Sequence, residues 1–333
     1  MRRSFIVLTL LAFCGLPRPA FAWNSTGHMT IALIAWRQLE PAEREQVSTL
    51  LKAHPHYKLL LLPGKPADVG TDEWVFLHAA VWADLVRPAR PGVAQLFKPP
   101  AITRYSRNWH VCPMPWVAPV DRKSMNPATL PAPPDENAVQ GLTQSYATLS
   151  RADAAPADRA VALTWIEHIT GDIHQPLHAC TQYSPAFPQG DHNGSAAAVR
   201  IADQVMPLHV VWDEALGTSD TYVELDFLAN LITADPKLSP AKLGEASLTS
   251  RDYAGWARES LEYGAAVAHL NGRLKTASLV AWQKKEIATD EVPTVPPSYA
   301  GNVRDVAKQR FAQAGYRLAA QIKAALRSGG RSN

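Results

Sequence analysis

Cysteine is scarce in this chain, with three in 333 residues, and Cys14 lies in a segment that we expect to be removed. The two others, Cys112 and Cys180, cannot form a zinc site made of thiolates alone. A zinc site in this protein would therefore need imidazole or carboxylate ligands. In an oxidising compartment the two cysteines could form one disulfide, or they could remain two buried thiols; the sequence leaves both open.

The chain also lacks an apolar run long enough to span a membrane. A short run follows two N-terminal arginines and leads to Ala-Phe-Ala, which ends at Ala22. This pattern is typical of a secretory signal peptide with an Ala-x-Ala cleavage site. We predict a signal peptide over 1–22, a mature chain that begins at Trp23, and an exported protein, periplasmic or extracellular. A lipoprotein signal at Cys14 is the alternative, but the bulky Phe13 before it argues against that.

A positive charge excess is missing from the predicted mature chain. Removal of the signal peptide takes away three arginines and no acidic residue, so the formal net charge falls from +3 to zero. The protein therefore has no global electrostatic attraction to nucleic acid. Any such attraction must be local.

Strand alternation is nearly absent as well, and so are internal repeats. Apolar residues at helical spacing predict most of the chain to be α-helical, whereas the proline-rich segment 88–134 is predicted to be mostly irregular. A strand-like run covers 198–202, and a helical pattern resumes at Leu208. We expect an all-α single domain over 23–333, with long loops and at most a short β-hairpin. The predicted helices are 25–39, 41–53, 72–87, 135–149, 158–170, 252–285 and 298–326.

Candidate metal ligands are densest around the end of one predicted helix. His168 and Asp172 are four residues apart, so their side chains project from one helix face and could bind one metal ion. Pro176 ends the helix, because it lacks an N–H group and clashes with the preceding turn. His178 then leaves in a new direction and could serve a second metal ion.

The same spacing recurs at His209 and Asp213. A single His-x-x-x-Asp pair is most simply an ion pair on a helix, but two pairs and a further histidine indicate a multinuclear zinc centre. Cleavage before Trp23 would add an α-amine whose pKa is near neutral, and which can chelate a metal together with its own carbonyl group. With His28 it would form a third site.

Five motifs succeed one another along the mature chain: Trp-x-x-x-Gly-His at 23–28, Trp-Ala-Asp-x-x-Arg at 82–87, Trp-His at 109–110, His-x-x-x-Asp-x-x-Gln-Pro-Leu-His at 168–178 and Leu-His-x-x-Trp-Asp at 208–213. Their order and spacing resemble the S1/P1 nuclease family over nearly the whole mature chain. The resemblance implies a mainly helical fold of the phospholipase C/P1 nuclease type. It also implies an endonuclease that hydrolyses RNA and single-stranded DNA to 5′-phosphorylated products, with 3′-nucleotidase activity. Single-stranded nucleic acid or a nucleotide is then the partner, and no protein partner is indicated.

The resemblance further implies three Zn²⁺ ions, each bound by residues of these motifs. Arg87, one helical turn after Asp84, would stabilise the charged phosphoryl transition state; an ordinary salt bridge to Asp84 is the alternative. The implied ligands are Asp84, His110, His168 and Asp172 for the first zinc, His178, His209 and Asp213 for the second, and Trp23, His28 and a bridging Asp172 for the third.

The sequence departs from the family where the base is bound. Val111 and Pro113 stand where the family usually has an aromatic residue and an acid or amide. Trp109 or Trp116 could offer a substitute stacking face, although tryptophans in a proline-rich loop are more often packing anchors.

A second departure lies in the loop before the predicted ligands of the second zinc. Asn193 and Ser195 stand where the family tends to have Gly and Asn, and Pro207 stands where Asn usually precedes Leu-His. The remaining histidines have no paired donor at ligand spacing, and we expect them to be structural: His54, His56, His78, His174, His192 and His269.

Two other functions remain open. A zinc-dependent phospholipase C shares the implied three-metal arrangement, but it typically has Glu four residues after the histidine at position 209, so Asp213 favours the nuclease. A relative that binds zinc and nucleotide without catalysis would result if the altered base pocket had abolished turnover.

Overall fold

The computed structural model describes residues 23–87 and 106–329, and helices dominate this part of the chain. The predicted signal peptide and residues 88–105 of the proline-rich segment lie outside it. No described helix combines the length and apolar character needed to cross a bilayer. The α-helices are α1 (Ser25–Gln38), α2 (Pro41–Lys52), α3 (Thr71–Ala79), α4 (Trp82–Leu85), α5 (Ala138–Leu149), α6 (Pro156–Ile173), α7 (Leu208–Asp213), α8 (Tyr222–Thr233), α9 (Pro240–Leu243), α10 (Glu245–Thr249), α11 (Tyr253–Tyr263), α12 (Leu279–Gln283) and α13 (Tyr299–Gly329).

Helix α6 lies at the centre of the helical packing. It begins at Pro156, a residue suited to the first helical position because the N–H that it lacks would have no helical partner there. From Ala162 to Ile173 every residue is buried, and α1, α2, α5 and α13 all contact this helix. The packing therefore carries His168 and Asp172 into the interior instead of leaving them on a solvated face.

Two of the predicted helices are interrupted, and both interruptions have a local cause. The predicted helix 72–87 divides into α3 and α4, because Asp84 N–H bonds to the Val81 carbonyl (3.2 Å) and not to that of Ala80. The predicted helix 252–285 continues past Tyr263 only as a π-helical turn, Gly264–Ala268, and ends before Leu270. Leu270, with φ of 50°, opens three consecutive left-handed residues, which a right-handed helix cannot accommodate.

The mainly helical fold class is confirmed, with somewhat more strand than the one predicted hairpin. The strands are β1 (Met114–Val117), β2 (Cys180–Tyr183), β3 (Ala197–Ile201), β4 (Gln204–Pro207) and β5 (Ala277–Ser278). Strands β3 and β4 form the predicted hairpin, and β5 pairs with the other edge of β3. Strands β1 and β2 form a parallel pair that the proline-rich sequence of β1 did not indicate.

The two described cysteines are free and buried thiols. Cys180 lies opposite Met114 in the parallel pair, so Cys112 is two residues out of register with it, which explains why no disulfide joins them. Burial raises the pKa of Cys112 to about 11 and that of Cys180 well above its usual range. Both thiols are therefore protonated and unreactive near neutral pH.

A buried ionic network fixes the C-terminal end of α6 against α11 and α13. Arg310 donates from Nε to the carbonyl of His174 (3.1 Å), and Arg317 donates to its Nε2 atom (2.8 Å). Both guanidinium groups are fully buried, and both contact Glu259, whose side chain is 34 % exposed. The two arginines thus hold in place the end of the helix that carries His168 and Asp172.

We expect Glu259→Gln to lower the free energy of unfolding by about 2 to 4 kcal/mol, because it leaves two buried arginines without a carboxylate. The partial exposure of Glu259 keeps the expected loss below that of a fully buried pair. Urea unfolding of the purified protein measures the loss. Glu262→Gln, an exposed change on the same helix, is the control and should cost less than about 0.5 kcal/mol. Equal stability of the two variants would contradict the structural role of the network.

Candidate metal centre

Eight buried side chains form three groups, each of which could hold a metal ion. Within a group, one ligand atom from each residue lies within 4.8 Å of the others. His168 belongs to two groups, so those two groups adjoin. The groups are His28, His168 and Asp172; Asp84, His110 and His168; and His178, His209 and Asp213.

Helix α6 supplies the carboxylate around which the first two groups are arranged. Asp172 is fully buried. One of its oxygens, Oδ2, lies 3.2 Å from His168 Nε2 and 3.1 Å from His110 Nδ1, and the other, Oδ1, lies 3.3 Å from His28 Nε2. Three imidazoles from three different parts of the chain thus converge on one carboxylate.

The ring of His168 is oriented by the interruption between α3 and α4. Its Nδ1 atom donates to the Ala80 carbonyl (2.8 Å), which is free because the helix breaks there. The Nε2 atom therefore faces the cluster and lies 2.9 Å from His110 Nδ1. Two ring nitrogens aimed at each other at this distance are suited to share a cation.

His28 reaches this cluster only because residue 171 is a glycine. A Cβ atom at Gly171 would lie 2.7 Å from His28 Nδ1, closer than non-bonded atoms allow. The ring of His28 stacks on that of His168 with centroids 4.1 Å apart. The sequence resemblance placed His28 and Asp172 at the same zinc site. It did not single out Gly171, because a glycine inside a helix does not indicate which residue packs against it.

The third group forms after the end of α6. His178 donates from Nδ1 to the His110 carbonyl (2.7 Å), which leaves its buried Nε2 atom without a hydrogen-bond partner. In α7, His209 Nε2 lies 3.4 Å from Asp213 Oδ2. Gln175 of the Gln-Pro-Leu-His motif donates to the other oxygen of Asp213 (2.8 Å) and was not singled out from the sequence.

These donors fit zinc on three grounds. Buried oxygen and nitrogen atoms point into the centre without a hydrogen-bond partner, which leaves them free to bind an ion. Burial lowers the pKa of His178 to about 3 and that of His110 to about 4, so both rings are neutral, as metal ligands must be. Imidazole and carboxylate form the usual donor set of catalytic zinc. The unpartnered atoms are His28 Nε2, Asp84 Oδ1, Asp172 Oδ1, His178 Nε2 and Asp213 Oδ2.

The carboxyl groups differ in charge state. Burial by itself raises the pKa of Asp172, but His168, His110 and His28 hold it well below its usual range. Burial raises the pKa of Asp213 well above its usual range, since the hydrogen bond from Gln175 does not offset the loss of water. The neighbouring acids Asp172, Asp84 and Glu214 raise that pKa further, so a cation held by the group His178, His209 and Asp213 would stabilise the ionised carboxylate.

Arg87 borders the group Asp84, His110 and His168. Its Nε atom lies 3.9 Å from Asp84 Oδ1, and the two side chains are 15 % and 11 % exposed. This contact agrees with the salt bridge that the sequence left as an alternative. It places the guanidinium beside one of the candidate ligands.

Trp23 is buried beside the group that contains Asp213. Its ring packs edge-on against Phe311, with centroids 4.8 Å apart, and the next residue, Asn24, donates its N–H to the Asp213 carbonyl (3.4 Å). The first residue of the predicted mature chain thus starts next to α7. Asn24 also accepts a hydrogen bond from Gly27 N–H (3.1 Å) and caps α1.

The two tryptophans proposed as stacking faces differ. Trp109 is 6 % exposed and packs edge-on against Trp165, with centroids 5.1 Å apart, so it is a core residue and offers no free face to a base. Trp116 is half-buried and stacks one face on His269 (5.7 Å). The six histidines expected to be structural lie outside the three groups.

A family model described as S1/P1 Nuclease matches residues 23–327. No curated protein matches the chain significantly.

On the expectation that the three groups bind three zinc ions, Gly171→Ala should remove one of them, because the added Cβ displaces His28 from Asp172. Elemental analysis of the zinc-saturated mature protein measures the number of ions. Gly301→Ala in α13, where an added Cβ meets nothing within 4 Å, is the matched control and should keep all three. Three zinc ions in Gly171→Ala would contradict the role of His28.

Proposed function

The chain belongs to the S1/P1 nuclease family, and we propose that it is a zinc-dependent endonuclease that hydrolyses RNA and single-stranded DNA. We further propose that the products carry 5′-phosphates and that the enzyme also removes the 3′-phosphate from nucleotides. The observation that carries this proposal is the convergence of three buried His and Asp groups, two of which share His168 and adjoin at Asp172.

We assign a zinc ion to each group and add the free amine and carbonyl of Trp23 to the group that contains His28. Zinc held there would supply Lewis acidity, which activates water and offsets the charge of phosphate oxygens. Each ion would have few enough protein ligands to leave a position open, as in catalytic zinc sites. The proposed ligands are those of the motifs: Trp23, His28, Asp84, His110, His168, Asp172, His178, His209 and Asp213.

The side chains around this centre have separate tasks. The backbone carbonyls of Ala80 and His110 hold the rings of His168 and His178 with Nε2 towards the ions. Arg87 lies beside Asp84, where we propose that its guanidinium binds the oxygens of the phosphoryl group as their charge grows. Asp84 then both binds zinc and keeps Arg87 in place through their 3.9 Å contact.

The substrate class follows from charge and access. Three divalent ions against the carboxylates of Asp84, Asp172 and Asp213 leave a formal local excess of three positive charges, on a mature chain with no net charge. The ligands are buried, so a phosphate must enter a recess, which a flexible single strand does more easily than a duplex. Trp116 remains the candidate for base stacking, whereas the burial of Trp109 removes it from that role.

We also propose that the protein is exported, to the periplasm or beyond the cell, by a signal peptide over 1–22. Cleavage there makes Trp23 the first residue, and its α-amine has a pKa that permits metal binding near neutral pH. The burial of Trp23 beside α7 supports this assignment, since a residue that only joins a signal peptide to the mature domain would be expected at the surface. The domain would then occupy 23–333.

We expect the zinc-loaded mature protein to cleave single-stranded DNA and RNA, to leave phosphatidylcholine intact, and to release phosphate from a 3′-nucleotide. Denaturing gels and end-group analysis of the products measure cleavage and the 5′-phosphate. Asp172→Asn, which loses the bridging carboxylate charge, should be inactive under the same conditions. Lipid hydrolysis with intact polynucleotide would identify a phospholipase C instead, and nucleotide binding without turnover would identify a non-catalytic relative.

We expect a mature chain extended by one glycine before Trp23 to bind two zinc ions instead of three and to lose at least about 100-fold in activity, because the α-amine becomes an amide. The same glycine added at the C-terminus is the control and should change neither quantity. Zinc content and cleavage rate are measured on both proteins. A fully loaded, fully active N-terminal variant would refute the role of the free amine.

A further inference from the structure

A tight loop between β2 and β3 contacts both histidines of the group His178, His209 and Asp213. Its residues His192, Asn193 and Gly194 have φ angles of 52°, 59° and 80°, so three consecutive residues are left-handed. Asparagine is among the few non-glycine residues that adopt this conformation readily. The left-handed position 193 can therefore hold an asparagine, whose side chain is available for hydrogen bonds.

The backbone of this loop holds the His209 ring. The carbonyl of Asn193 accepts a hydrogen bond from His209 Nδ1 (2.6 Å), and the carbonyl of Gly194 accepts one from the backbone N–H of His209 (3.2 Å). With Nδ1 protonated, the lone pair of the neutral ring is on Nε2. That atom faces Asp213 Oδ2 at 3.4 Å, so the loop presents His209 in the form that binds a metal.

The side chain of Asn193 connects the same loop to the other histidine. Its Nδ2 atom donates to the Leu177 carbonyl (2.6 Å) and lies within 3.4 Å of the Cys180 carbonyl. These carbonyls flank His178, whose Nε2 atom is a candidate ligand. One residue thus joins the segment that carries His178 to the helix that carries His209.

We propose that Asn193 is a positioning residue for the second zinc: its carbonyl fixes the His209 ring, and its side-chain amide fixes the segment around His178. The inference rests on the proposed function in so far as His178 and His209 are zinc ligands. Partners that orient metal ligands in this way commonly contribute one to two orders of magnitude to metal affinity.

The base of the loop is held by contacts other than the Asn193 side chain. Asp191 anchors its base: the Asp191 N–H donates to the Gln182 carbonyl (2.9 Å) and the Asp191 carbonyl accepts from Ala196 N–H (2.9 Å). The buried Asp191 carboxylate also accepts from the Gln182 N–H (2.9 Å). Replacing Asn193 by glycine keeps a residue that tolerates positive φ and removes only the amide.

The test compares Asn193→Gly with Asn271→Gly in the mature chain. Asn271 has a φ of 55° and is exposed, so its replacement makes the same chemical change at a left-handed position that belongs to none of the metal groups. Zinc affinity is measured by titration against a chromophoric chelator. We expect Asn193→Gly to lower the affinity for one of the three zinc ions by about 10- to 100-fold and to leave the affinity for the other two unchanged. Asn271→Gly should bind all three ions with the affinities of the parent chain.

A second measurement uses the zinc-free protein. Nitrogen-15 NMR of labelled histidine should show a protected Nδ1–H signal that His209→Gln removes. Asn193→Gly keeps the backbone carbonyl that accepts from His209 but releases the loop from the Leu177 carbonyl. We therefore expect that carbonyl to hold the ring less firmly and the protection to fall, whereas Asn271→Gly should retain it. Unchanged zinc affinity and an unchanged signal in Asn193→Gly would overturn the proposal, and so would equal weakening in both variants. If the parent chain itself binds no zinc, the proposed function fails, and the NMR comparison still decides whether Asn193 positions the ring.

Discussion

The structure depends on one buried carboxylate. Asp172 has no exposed surface, and imidazole nitrogens of His28, His110 and His168 lie within 3.3 Å of its two oxygens. A carboxylate in such a place is costly unless cations or hydrogen-bond donors surround it. Helix α6 delivers it there because every residue of its last turns is buried. The ligands of the other groups are arranged around this fixed charge.

Three of the histidine rings at the centre are oriented by backbone carbonyls. In an uninterrupted helix or strand these carbonyls would accept hydrogen bonds from backbone N–H groups instead. His168 is held by Ala80 at the break between α3 and α4, His178 by the carbonyl of His110, and His209 by a left-handed loop residue. In each case Nδ1 donates and Nε2 is turned inwards. The interruptions of helix and strand are thus part of the metal centre, because they release the acceptors that set each tautomer.

Much of the helical framework and the grouping of candidate ligands could be predicted from the sequence. Helical periodicity and the His-x-x-x-Asp spacing depend on local geometry, and both survive in α6 and α7. The partners that depend on tertiary contacts could not be predicted: Gly171 gives no local sign that His28 packs on it, and nothing near Ala80 indicates a free carbonyl. The sequence favoured a packing role for Trp109 but could not name its partner, since Trp165, which packs against it, is distant in the chain.

The central claim is that the mature chain encloses three zinc ions at three defined positions. A crystal structure of the zinc-loaded protein that starts at Trp23, with anomalous diffraction measured on both sides of the zinc absorption edge, tests it most directly. The account predicts three zinc peaks, one within each of the groups marked by His28, His110 and His209. Fewer than three peaks at saturating zinc, or peaks away from these histidines, would contradict it.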